Sequence, residues 1–188
     1  MKVQRDAWRQ KTQGLELHRL VFLDESGAKT NMTRLYGRCF SGRRVVDAAP
    51  HGHWCTTTIL SAMRLDGSTA AMVIDGATDT CVFDAYVRSV LVPSLREGDI
   101  VIMDNLSPHK IPGVISVIES AGTQVWFLPP YSPDMNPIEK MWSKIKAYLR
   151  KVKARTQEAL LDAIAAALKT VSASDALNWF ASCGYKQP

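Results

Sequence analysis

Long apolar runs are missing from this chain: no segment reaches the roughly 18 uncharged residues of a membrane span. The N-terminal MKVQRDAWRQKTQGLELHRL is polar and lacks the apolar stretch of a signal peptide. Cysteine is scarce. Cys39, Cys55, Cys81 and Cys183 are scattered without a C-x-x-C pair, which excludes a zinc knuckle or a dense disulfide framework and fits a reducing, cytosolic setting. There is no internal repeat and no low-complexity tract. Charge is not concentrated in blocks that would resist collapse, and with 46% hydrophobic residues among 188 the chain can bury one sizeable core. The expectation is a single compact α/β domain overall.

Positive charge is present mainly in one place. The net charge is +5, yet Lys140, Lys144, Lys146, Arg150, Lys151, Lys153 and Arg155 stand against Glu139 alone within that segment. The rest of the chain is close to neutral, so the basic character is a local patch. It reads either as a polyanion-facing surface or as a solvated helix face.

RLVFLDES is a continuous apolar run ending in acids, the pattern of a buried strand with Asp24 emerging at its end. The Gly, Ser and Pro breaks in TRLYGRCFSGRRVVDAAPHGHW suggest hairpins, and TTTILSAMRLDGSTAAMVIDG adds two strands around an Asp66-Gly67 turn. An antiparallel meander is therefore expected first. VFDAYVRSVLVPSL then has helical spacing, at Val82, Phe83, Tyr86, Val87, Val90 and Leu91. GDIVIMDN, a helix from about Ile111 to Ala121 and TQVWFLPP follow, a strand-helix-strand order that implies parallel pairing. After the loop PPYSPDMNP, the segments IEKMWSKIKAYLRK, TQEALLDAIAAALKTV and DALNWFASCGY read as helices.

Asp24 and Asp104 each end an apolar strand, and Glu139 opens the first helix after the proline loop. Adjacent strands would bring both aspartates to one sheet edge, and the loop would swing Glu139 back to face them. Clustered carboxylates repel one another and persist where a hard cation, Mg²⁺ or Mn²⁺, neutralises them. Two such ions roughly 3.5–4 Å apart would suit phosphodiester chemistry. Each acid also has a plain structural reading. Asp24 competes with Glu25, and Asn136-Pro137-Ile138-Glu139 reads as an N-cap, a first-turn proline and an N3 glutamate, a capping box.

Asn105 and His109, close behind Asp104, are candidates to assist, with His109 orienting a phosphate or transferring a proton. Ser107 and Lys110 lie in the same short segment. His51 and His53 in PHGHW lack a nearby cysteine or third histidine and read as turn residues. Tyr131 and Ser132 have no activating base visible in sequence. On the basic helix, Ile138, Met141, Trp142, Ile145 and Leu149 form an apolar stripe, leaving Lys140, Lys144, Lys146, Arg150 and Lys151 to meet phosphates.

LDES, MDNLSPHK and LPPYSPDMNPIEKMWSKIK resemble the three catalytic blocks of mariner-like DDE transposases, in their bacterial insertion-sequence branch. The 34 residues between Asp104 and Glu139 equal that branch's spacing, and the likeness runs from about Trp8 to Tyr185. The resemblance implies a ribonuclease-H-like mixed sheet flanked by helices. It implies two divalent ions, Mg²⁺ or Mn²⁺, on Asp24, Asp104 and Glu139, with cleavage at transposon ends and strand transfer into TA-containing target DNA. It also implies a homodimer handling paired DNA ends in the bacterial cytosol, associated with the nucleoid. Residues 1–18 are then an N-terminal arm or short helix, 19–155 the DDE catalytic core and 156–188 C-terminal helices packed on that core. Full-length relatives carry a helix-turn-helix region that reads the terminal repeats, and nothing before Arg19 matches it. The expectation is a catalytic half, either joined to a partner reading frame by frameshifting or a decayed fragment. A non-catalytic DNA-binding or regulatory remnant is the competing reading.

Overall fold

The computed structural model describes residues 2–48, 50–51 and 56–186. The chain opens with helix α1 (Lys2–Thr12) and a 3₁₀ turn (Leu17–Arg19), then runs through strands β1 (Leu20–Lys29), β2 (Thr56–Met63) and β3 (Thr69–Asp75). Helix α2 (Thr80–Tyr86) passes through a π turn (Val87–Leu91) into α3 (Val92–Ser94). Pro93 has no N–H to give an α-helical bond, and the helix widens there, with Val92 N–H donating to Val87 O. Strand β4 (Ile100–Met103), a 3₁₀ turn (Ser107–Lys110), α4 (Pro112–Glu119) and β5 (Gln124–Phe127) follow. A last 3₁₀ turn (Pro133–Met135) precedes α5 (Pro137–Val152), α6 (Gln157–Leu168) and α7 (Ala173–Ser182).

The five strands form one mixed sheet in the order β3-β2-β1-β4-β5. β1, β2 and β3 are antiparallel neighbours, whereas β1, β4 and β5 run parallel. Helices cover both faces, which is why the central strands are almost continuously apolar rather than alternating. Side chains of a strand nevertheless alternate in direction. Leu20 and Phe22 pack with α5 and α7, and Val21 and Leu23 pack with Phe83, Tyr86 and Ile118 on the other face. Phe22 meets Phe180 and Tyr185 edge-on, ring centroids 5.1 Å away in each case. A fully buried side chain of this size contributes about 1.5–3 kcal/mol.

The expected turn at Asp66-Gly67 is present: Gly67 has φ of 80° and Asp66 Oδ1 accepts from the Ser68 N–H at 2.8 Å. Two expectations differ. Among the described residues of 33–54 there is no strand, because Leu35, Tyr36, Phe40 and Val46 are exposed and no neighbouring strand supplies a partner. Arg155 Nη1 instead holds the start of this connection through the carbonyls of Thr30 and Met32, at 2.8 and 3.0 Å. And β1 does not end at Asp24. It continues to Lys29 against β2, so Asp24 lies mid-strand, where the shorter parallel neighbour β4 has run out.

Candidate active site

Leu20 pairs with Ile100 and Phe22 with Ile102 in the parallel register of β1 and β4. Two further steps along both chains bring Asp24 beside Asp104 on the face covered by α5. The start of α5 supplies Glu139, whose helix is seated by the buried Ile138, Met141, Trp142, Ile145 and Leu149. All three carboxylates line one cleft of about 470 Å³. The same cleft is also lined by Asn105 and Asn136 and by the largely apolar Leu106, Leu128, Pro129, Pro130 and Tyr131.

The carboxylates have unlike surroundings. Asp24 is buried, and its Oδ1 accepts from the Glu25 N–H at 2.8 Å. Burial, with repulsion from Glu139 and Asp104, pushes its carboxyl up to about 7 despite that bond. Asp104 is partly open to solvent. Burial raises its carboxyl, but the hydrogen bond with His109, the Leu106 N–H and the charges of His109 and Lys110 outweigh it and hold the group below the ordinary carboxylate range. His109 Nδ1 lies 2.7 Å from Asp104 Oδ1. An ionised carboxylate only accepts, so Nδ1 carries the proton and donates. The imidazole is itself buried and stacks on Phe83, centroids 4.5 Å apart, so it sets the orientation of Asp104.

Asn136 does not cap α5 with its side chain. Its amide donates to Asp24 Oδ2 at 3.2 Å, so the expected capping box is replaced by a contact between helix start and central strand. The side-chain oxygen Oδ1 of Asn136 is buried without a partner. The loop before α5 is held from outside by Arg5, whose Nη1 donates to Ser132 Oγ at 3.0 Å and to Asp134 Oδ1 at 2.9 Å. Asn105 ties the ends of β4 and β5 by donating to Leu128 O at 2.5 Å.

The opposite end of the sheet shows how this fold neutralises a buried carboxylate for structure alone. There Asp99 is paired with Arg64, which also donates to Ser94 O at 2.8 Å, and Asp99 accepts the Arg96 N–H at 2.7 Å. No ion pair among the described residues involves Asp24 or Glu139. An oxygen-rich cleft with a buried, unneutralised carboxylate and an orphaned amide oxygen suits a hard divalent cation. No three acidic, histidine or cysteine side chains among the described residues are already gathered around one point. The donors fit as walls of an open cleft, with Asp24 the carboxylate that senses both of the others.

Glu25 alternates to the other face of β1, away from Asp24's partners, and its Oε2 is buried without a hydrogen bond. His51 is exposed, and His53 lies outside the described residues. Lys144 donates to Thr170 O at 2.7 Å and Asp175 Oδ2 at 2.6 Å, binding α5 to the start of α7. Lys140, Lys146, Arg150 and Lys151 make no such bridge among the described residues, and Lys140 and Lys151 are exposed. Sequence reasoning missed Asn136 as a partner of Asp24 and Arg5 as a clamp. Both contacts span more than a hundred residues and leave no local pattern.

A mixed sheet of this order, with acids at the end of the parallel strands and a helix across them, is a ribonuclease-H-like fold. Over residues 19–161 the sequence matches the DDE superfamily endonuclease family, and the chain belongs to that family. No protein of curated function matches it in sequence. Its fold is similar to a pre-cleavage Mos1 transpososome, with a TM-score of 0.77 at 14% identity, covering 96% of this chain and 57% of that one. It is similar to the Mos1 mariner paired end complex with Mn, with a TM-score of 0.73 at 17% identity over 96% of this chain and 57% of that one. The catalytic domain of Mos1 mariner transposase gives 0.67 at 14% identity, with 96% and 84% covered. The chain thus spans a little over half the length of the Mos1 chains in the DNA-end complexes. Among the described residues no helix is long and apolar enough to cross a membrane.

Proposed function

We propose that this chain is the catalytic part of a DNA transposase of the bacterial insertion-sequence kind, cleaving at transposon ends and transferring the freed strand into target DNA. The observation that carries it is the single cleft lined by Asp24, Asp104 and Glu139 in a chain of the DDE endonuclease family. Asp24, Asp104 and Glu139 would hold two Mg²⁺ or Mn²⁺ ions, and structural neighbours bound to Mn and to Mg support that choice. Bound there, the cations would supply activation of a water or hydroxyl and neutralisation of the departing oxygen.

The residues themselves do the holding and orienting. His109 fixes Asp104 through one oxygen and leaves the other for the cleft. Asn136 holds Asp24 through Oδ2 while the Glu25 N–H holds Oδ1, and Asn105 ties the ends of β4 and β5 beside them. Such outer partners typically set ligand geometry as strictly as the ligands do. Water displaces the 3′ oxygen at the element end from phosphorus, and the resulting 3′-hydroxyl then displaces an oxygen of a target phosphodiester. No covalent protein intermediate is required.

DNA is drawn in along α5. At 100° per residue, Glu139, Lys146 and Arg150 share one flank of the helix, with the backbone positions of Lys146 and Arg150 about 10 and 16 Å along the axis from that of the glutamate. Lys140 and Lys151 lie on the other flank. The first pair is placed to track a backbone whose scissile phosphate sits at the carboxylates. The neighbours in which Mos1 transposase holds transposon ends support DNA as the partner and pairing of two copies as the working state. A DNA-acting protein of this kind would work in the bacterial cytosol, at the nucleoid.

The test is strand transfer. A short duplex with a free 3′-hydroxyl at a pre-cleaved end is incubated with supercoiled plasmid and Mn²⁺, and joined product is scored. Joining supports a transposase. Cleavage without joining identifies a nuclease on the same fold, and DNA binding without either identifies a non-catalytic remnant.

A further inference from the structure

The loop LPPYSPD carries a residue that its own conformation disfavours. Tyr131 has φ of 53°, in the left-handed region that glycine or asparagine adopts at far lower cost. The other non-glycine residue there is Lys153, which ends α5 as a helix C-cap. Tyr131 has no such excuse, and its side chain gains nothing from burial, being 89% exposed. Tyr86 and Tyr185 behave differently: both are buried, and their hydroxyls donate to Ala70 O at 2.9 Å and Met135 O at 2.8 Å. The Tyr131 hydroxyl has no such bond among the described residues. Neither backbone preference nor packing accounts for an aromatic ring at this position, and strain of this kind gathers at functional sites.

The backbone that carries the ring is also held in place. Pro129, Pro130 and Pro133 restrict the backbone on both sides. Ser132 Oγ donates to Pro130 O at 3.1 Å while accepting from Arg5, and Met135 N–H donates to Ser132 O at 3.0 Å. An exposed aromatic group on a fixed backbone therefore lines the same cleft as the three carboxylates. A phosphodiester at the carboxylates must carry a sugar and a base on each side. In an intact duplex those bases are stacked and unavailable, whereas in an open strand the base beside the phosphate is free to meet an aromatic face in the cleft.

Resting on the DNA-cleaving reading above, we propose that Tyr131 is a stacking platform for the unpaired nucleobase next to the scissile phosphate, so that the cleft selects frayed or single-stranded ends over closed duplex. The π-face accepts any base, so the selection is for strand opening and not for sequence.

The test compares binding of the full chain to two labelled DNAs in low salt with Ca²⁺: a blunt duplex, and the same duplex with a short unpaired overhang carrying 2-aminopurine beside the junction. The expected result is about tenfold tighter binding of the overhang DNA with quenched 2-aminopurine emission, kept by Tyr131→Phe and abolished by Tyr131→Gly. Because glycine relieves the backbone, Tyr131→Gly should melt no lower than the parent chain. Retained preference or quenching in Tyr131→Gly overturns the proposal, as does a preference lost together with a large drop in melting temperature. If the parent chain binds neither DNA, the DNA-cleaving reading fails first; if it binds both equally, only the stacking platform fails.

Discussion

The side-chain amide of Asn136, first residue before α5, donates to Asp24 in the middle of β1 at 3.2 Å, across 112 residues of sequence. This bond couples the helix that brings Glu139 to the strand that brings Asp24. Asn136→Ala should therefore weaken Mn²⁺ binding about tenfold or more, the usual effect of removing an outer partner of a metal ligand. Helix α5 should persist, because the Asn136 side chain makes no cap bond. Calorimetric titration with Mn²⁺ beside far-ultraviolet circular dichroism checks both halves.

The metal-free fold should lose stability as pH rises from about 4 to about 7. Asp24 titrates near 7 in the folded chain against an ordinary 3.8. In that window the folded chain keeps a proton that the unfolded chain has released, so raising the pH favours unfolding, and the loss levels off above 7. A difference of about three pH units amounts to about 4 kcal/mol. Asp104, held below the ordinary range, acts in the opposite sense and only at lower pH, where its stabilisation fades as it protonates. Denaturant unfolding in EDTA at pH 5 and pH 8 should show the decline in the parent chain, most of it absent in Asp24→Asn and reversed at pH 8 by Mn²⁺.

Lysines of one helix should separate by role. Lys146→Gln with Arg150→Gln should weaken DNA binding and flatten its dependence on salt by roughly one phosphate contact for each charge removed, with the melting temperature nearly unchanged. Lys144→Gln should do the reverse: its ammonium binds Asp175, whose carboxyl is lowered to about 2 by that bond and by Ser172, and the junction of α5 and α7 depends on it. Fluorescence anisotropy between 50 and 200 mM salt, paired with thermal unfolding, tells them apart.

Much of this architecture is legible in the amino-acid sequence because burial writes periodicity. The central strands are covered on both faces, so LVFL and IVIM stand out as unbroken apolar runs, and an acid marks the end of the shared parallel pairing. The stripe from Ile138 to Leu149 similarly declares the buried side of α5. What escaped has distant causes. Asn136 followed by proline and Glu139 has the spacing of a cap, yet its partner is Asp24. The length of β1 beyond Asp24 depends on pairing with β2, which the local sequence does not disclose. In 33–48, valines and aromatics between glycines carry a hairpin signal, yet they lie exposed without a facing strand.

The most direct measurement is nicking of supercoiled plasmid by the purified chain in Mn²⁺ and low salt, beside Asp104→Asn. Nicking by the parent chain that falls a thousandfold or more in the variant is the expected result, since one lost carboxylate at a metal-dependent site removes several kcal/mol of transition-state stabilisation, on the order of 4 kcal/mol. Equal nicking by both proteins would contradict the assignment of the carboxylate cleft as the active site.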